Sequence, residues 1–149
     1  MYIDQNLPVD HQVKVEGETL IEEEDFWRRM RTTFDKLKLE AGVDEVVVCT
    51  HPSRSQDSLD EISSFCRVVQ FEIEKWIRDC ELVVTHASTA LDFAVIFEKP
   101  TCFVRLPEMQ ESGSFEDMVE SYAAKLGCSV NVLSDASSSN LDWGRDKSV

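Results

Sequence analysis

The chain has 149 residues, with 15 Lys and Arg against 29 Asp and Glu and a formal net charge of −14. That charge repels nucleic-acid phosphates and anionic lipid, so it argues against a nucleic-acid partner. The length suits one domain with a sizeable core, and 42% hydrophobic with 30% charged residues is ordinary globular composition, arguing against disorder and membrane insertion.

In chain order, "MYIDQNLP" reads as a first strand that Pro8 closes. The opening has no basic segment followed by an apolar run, so no signal peptide is expected, and no apolar run approaches transmembrane length. Thr19 and Glu22 form a T-x-x-E capping box, and the acidic residues 22–25 suit the positive end of a helix dipole and a solvated face. Phe26, Met30, Phe34 and Leu37 then make one apolar helical stripe, which Gly42 ends. Val46 to Thr50 is a β-branched run stopped by Pro52, the signature of a buried strand leading into a loop.

"CRVVQ" is a weaker strand signal, followed by Ile73, Trp76, Ile77 and Cys80 at i, i+3, i+4 and i+7, a helix. "ELVVTH" predicts a strand and "STALDFAVIFE" a helix so apolar on nearly every side that it is expected to be buried. "PTCFVRL" predicts another strand, and Phe115, Met118, Val119, Tyr122 and Leu126 an amphipathic helix ending at Gly127. "SVNVL" predicts a last strand, and 134–149 a flexible tail. Strands alternating with helices imply a single Rossmann-like three-layer α/β domain over 1–133 with a mostly parallel sheet, whose ligands bind beyond the carboxyl ends of the strands.

The five cysteines are odd in number and contain no C-x-x-C pair, which fits reduced thiols in a cytoplasm. The three histidines lack metal-ligand spacing, so neither a metal nor a cofactor is expected.

Polar chemistry concentrates in two loops, "HPSR" (51–54) and "HAST" (86–89), each directly after an apolar strand and so on one carboxyl edge. Ser88 suits an N-cap for a helix starting near Thr89, whose free amides attract an anion. His51 can donate to a phosphate oxygen, and Arg54 can clamp it with a planar fork. His86 joins them by position. Each residue also has a plain structural use: Ser88 and Thr89 as caps, His86 as a satisfied strand-end histidine, Pro52 and Ser53 as a turn, and Arg54 as a solvated charge. Asp4, Gln5 and His11 form a further polar cluster that either faces the same cleft or belongs to an exposed loop.

These residues resemble the donor-binding, C-terminal half of GT-B glycosyltransferases that build bacterial surface and capsular polysaccharides. The resemblance rests on His51-Pro52 after one strand, Ser88-Thr89 at the next helix start, and the opening "YIDQNLP", and it spans about residues 1 to 106. It implies a nucleotide-sugar or CDP-polyol donor whose phosphate is held by His51, Ser88 and Thr89, with metal-independent group transfer. No catalytic acid or base is assigned. A GT-B enzyme uses two Rossmann-like domains and this chain holds one, so the acceptor half is expected as an N-terminal domain or partner chain, and the isolated chain is expected to be inactive. Two other readings stay open: half of a nucleotide-sugar 2-epimerase-like enzyme, and a noncatalytic interaction module on the same fold.

Overall fold

A computed structural model describes residues 1–7, 21–112, 114–134 and 141–143. His11, expected either in the cleft or in an exposed loop, and Pro8 and Thr19, expected at a strand end and in a capping box, lie outside the described residues.

Six strands form one sheet: β1 (Tyr2–Ile3), β2 (Val47–Cys49), β3 (Arg67–Val69), β4 (Val83–Thr85), β5 (Thr101–Arg105) and β6 (Val130–Val132). The order is β3-β2-β1-β4-β5-β6 and every pairing is parallel. This is the Rossmann-like architecture expected, and it is wholly parallel among the described strands. The helices are α1 (Glu23–Ala41), α2 (Gln56–Ser63), α3 (Ile73–Asp79), α4 (Leu91–Ile96) and α5 (Ser114–Leu126), with a 3₁₀ turn at Pro107–Ser112. Among the described residues no helix is long and apolar enough to cross a membrane.

The longest helix, α1, buries Phe26, Trp27, Met30, Phe34, Leu37 and Ala41 against the sheet, a stripe at three- and four-residue spacing. It ends at Gly42, whose φ of +65° is the left-handed cap that glycine adopts without strain. Its N-cap, Glu22, makes no side-chain capping bond, and Glu23, Glu24 and Asp25 fill the first turn.

Three expectations need correction. α2 has no counterpart among the predicted elements, although Ser55 caps it by accepting from the Ser58 amide. α4 has six residues and buries only Leu91 and Ala94, while Val95 and Ile96 are exposed. Its apolar run is therefore covered on one side only. Part of 134–149 is also packed: Trp143 is buried and donates from Nε1 to Glu40 Oε2 at 2.9 Å.

All five cysteines are free, and burial pushes the thiols of Cys49 and Cys102 up to about 11 and about 12. Core thiols of this kind are unreactive.

Candidate functional site

The strand order reverses direction between β1 and β4, and in open parallel sheets the crevice beyond the carboxyl ends at such a point receives ligands. The sequence places three loops there. Ile3 is in register with Cys49 on one side and Thr85 on the other. One residue further stand Asp4, Thr50 and His86, and beyond them Gln5, His51 and Ala87. The His51 and Ala87 main chains thus flank Gln5, about 10 Å apart at two strand spacings.

His51 is half-buried, and its Nδ1 accepts the Ser53 amide at 3.1 Å. In the neutral ring the proton then sits on Nε2, which makes that atom the donor. On the other side of β1, Thr89 is exposed and Ser88 half-buried. The Ser88 hydroxyl accepts the Ala90 amide at 3.2 Å, and its carbonyl accepts Leu91 N–H at 3.1 Å. Ser88 therefore caps a turn ahead of α4, whose N-cap is Ala90 and whose first ordered residue is Leu91, two positions later than predicted. The amides of Ser88 and Thr89 themselves donate to no other described residue.

Arg54 lies elsewhere than the sequence suggests. Its side chain is about 1% exposed and packed inward, not clamped over a ligand. Nε and Nη2 fork onto the Asp4 carboxylate at 2.8 and 2.7 Å, and Nη1 reaches Glu23 Oε1 at 2.9 Å. Nη2 also donates to the Leu7 carbonyl. The guanidinium carbon sits 5.1 Å from the centroid of the Trp27 ring. Burial opposes the charge, but the hydrogen bonds and charges of Asp4, with Glu23, outweigh it and raise the pKa above the ordinary arginine value. With four N–H bonds so used, Arg54 is a brace for the loop it belongs to.

Glu23 is a residue that the sequence did not single out. It reads as dipole compensation in an acidic run, yet it also accepts the Ser58 hydroxyl at 2.5 Å and ties α1 to α2. Nothing in its local sequence distinguishes it from its acidic neighbours.

His86 is fully buried, which removes it from the open edge. Nε2 pairs with the Tyr2 hydroxyl at 3.0 Å, and the ring packs edge-on to Tyr2 with centroids 5.8 Å apart and near Phe26 at 6.0 Å. Burial lowers its pKa to about 4, against the opposing pull of the Val104 carbonyl and of Asp4. The imidazole is a neutral core group at physiological pH.

Asp4 is buried and Gln5 half-buried. Asp4 accepts the His51 amide at Oδ2 (3.1 Å), and Gln5 Oε1 accepts the Ala87 amide at 2.7 Å. The structure thus brings Asp4, Gln5, His51, Ser88 and Thr89 to one edge of the sheet, with Arg54 and His86 beneath them. Among the described residues, no group of three or more His, Cys, Asp or Glu side chains stands close enough to hold a metal ion.

Compared with known proteins, the chain matches no family model, no curated protein and no solved structure.

Proposed function

We propose that this domain binds the phosphate of a nucleotide-activated sugar or polyol, as the donor-binding half of a GT-B-type glycosyltransferase in surface polysaccharide biosynthesis. The observation that carries the reading is the convergence of His51 and the Ser88-Thr89 turn on the carboxyl edge, flanking the reversal of strand order between β1 and β4. His51 offers its Nε2–H, Thr89 its hydroxyl and amide, and Ser88 its amide. Arg54 and His86 support these groups from below and do not touch the ligand.

In such a transfer, negative charge builds on the departing nucleotide phosphate, and fixed N–H and O–H donors stabilise it without reorganising. The net charge of −14 opposes phosphate binding only weakly, because ionic screening limits its reach to about 10 Å. A GT-B enzyme closes a second domain over the donor, so transfer requires an acceptor-binding domain from the same or another polypeptide.

Thermal denaturation with CMP, CDP, UDP and GDP, each at millimolar concentration, tests the reading. At a hundredfold excess over Kd a ligand stabilises the fold by about 2.7 kcal/mol. That raises Tm by several degrees, and His51→Ala should abolish the rise. A docking module has its own supporting observation, the exposed Val95 and Ile96 of α4. It predicts that no nucleotide moves Tm, which is the result that would overturn the donor-site reading.

A further inference from the structure

We infer that Asp4 and Gln5 are positioning residues that set the spacing of the His51 and Ser88 loops and the orientation of the His51 ring. The inference deepens the donor-site reading above and, for its consequence on ligand binding, rests on it.

A parallel sheet holds neighbouring strand ends together by main-chain bonds, and here that ladder stops early. Asp4 N–H still reaches the Cys49 carbonyl at 3.0 Å. The chain then turns: Asn6 N–H bonds back to Asp4 Oδ1 at 3.0 Å, and Asn6 takes a φ of +59°, a left-handed conformation that asparagine tolerates. Past this bend, side chains of β1's extension replace the ladder. The Asp4 carboxylate takes the first amide of one loop, at His51, and the Gln5 carboxamide takes an early amide of the other, at Ala87.

The His51 peptide is gripped from both ends. Its N–H donates to Asp4, and its carbonyl accepts the amide of Arg54 at 3.0 Å, while the Arg54 side chain forks back onto Asp4. This closed circuit fixes the turn in which Ser53 N–H meets Nδ1, and so leaves Nε2 as the N–H donor of the neutral ring. Gln5 does the same for the second loop with a single bond, ahead of the Ser88 turn. The two loops are separated by 36 residues or so of chain but referenced to one dipeptide, so a change at Gln5 is felt at Ala87 and a change at Asp4 at His51.

The experiment uses the intact chain and three variants, Gln5→Ala, Gln5→Glu and Asp4→Asn. It reads amide hydrogen exchange at His51 and Ala87, the ring ¹⁵N shifts of His51, and CDP binding. Gln5→Ala should speed exchange at Ala87 at least tenfold and leave His51 unchanged, and Gln5→Glu, which keeps an acceptor oxygen, should restore protection. Asp4→Asn should speed exchange at His51 and turn its ring from one tautomer into a mixture, a signature that general destabilisation does not produce. CDP affinity should fall at least tenfold in Gln5→Ala. The inference is overturned if Ala87 stays protected in Gln5→Ala, or if a folded Asp4→Asn keeps the parent tautomer and exchange. It is equally overturned if the parent binds CDP and Gln5→Ala binds it as well. Should Asp4→Asn not fold, the Gln5 arm decides. A parent chain that ignores CDP and also CMP, UDP and GDP overturns the donor reading alone, because the exchange measurements still report on positioning.

Discussion

At the scale of single residues, the buried histidine has the most definite consequence. His86 titrates near 6.5 in an unfolded chain but about 4 in the fold, because burial disfavours its cation. As pH falls below 6.5 the unfolded state takes up a proton that the native state refuses, so stability is lost as the pH drops toward 4. Above 6.5 the effect vanishes, and below 4 it levels off. The loss amounts to about 3 kcal/mol over that window. Ionised carboxylates titrate in the same range, so the measurement is a difference: urea denaturation of the parent and of His86→Gln, from pH 7.5 to 4. Glutamine can still hydrogen-bond the Tyr2 hydroxyl and carries no charge. The stability gap between the two proteins should shift by about 3 kcal/mol in the variant's favour on acidification. A gap that stays constant would mean the ring takes up its proton as readily in the fold as in the unfolded chain.

The same residue shows where the sequence stops being informative about the site. "HAST" and "HPSR" each place a histidine just past an apolar strand, and local pattern cannot say which side chain turns inward. His86 does so because it falls on the face covered by α1, where Tyr2 and Phe26 close over it. Arg54 is buried by a partner 50 residues away, Asp4, which no spacing rule connects to it. His51, Ser88 and Thr89 reach the edge as expected, because the strand ends before them already bring them there, and the distant bonds from Asp4 and Gln5 then refine their placement.

At the scale of elements, the legible helices carry an apolar stripe at helical spacing, long in α1 and short in α3. α1 carries seven buried residues along nineteen, so its period survives noise. α2 buries only Ser58 and Ile62 in eight residues, too few turns for a period to appear among its serines and acids. α4 fails in the opposite sense: a run apolar all round implies cover all round, but a two-turn helix beside α3 is covered on one side only. The stop signals were more dependable, since they rest on backbone sterics. Gly42 takes a φ of +65°, and a Cβ added there would meet nothing within 4 Å. Gly42→Ala therefore tests backbone conformation without a clash. It should destabilise the chain by about 1 kcal/mol, and Gly42→Asn by less, because asparagine tolerates the left-handed region. Equal stability of all three in chemical denaturation would remove the cap from the account of how α1 ends.

At the scale of the whole molecule, alternation of strands and helices implied a parallel sheet, but strand order is set by crossovers that local pattern does not encode. A two-residue β1 in the centre of the sheet is the clearest example: Tyr2 and Ile3 earn that place by being flanked on both sides, and their short run alone does not announce it. The far edge departs more plainly from its sequence pattern. Residues 134–149 have the polar composition of a loose tail, yet Asn131 of β6 holds Asp142 by two bonds, Nδ2 to its carbonyl at 3.0 Å and Oδ1 from its amide at 2.8 Å. The same Nδ2 reaches the Phe103 carbonyl of β5, so one buried amide joins two strands to the returning segment.

That segment then delivers Trp143 to the end of α1, where the indole is 8% exposed and bonded to Glu40. A tryptophan so placed contributes by area, and its truncation to alanine should cost about 3 kcal/mol. Trp143→Phe keeps most of the packing and gives up the Glu40 bond, so it should cost about 1 kcal/mol. A mobile tail predicts instead that both variants stay within about 0.5 kcal/mol of the parent, as surface substitutions do. Urea denaturation separates the two cases. A graded loss of stability with an unchanged m-value would establish Leu141–Trp143 as part of the cooperative fold, since m reports the surface exposed on unfolding and a residue already packed alters the midpoint alone.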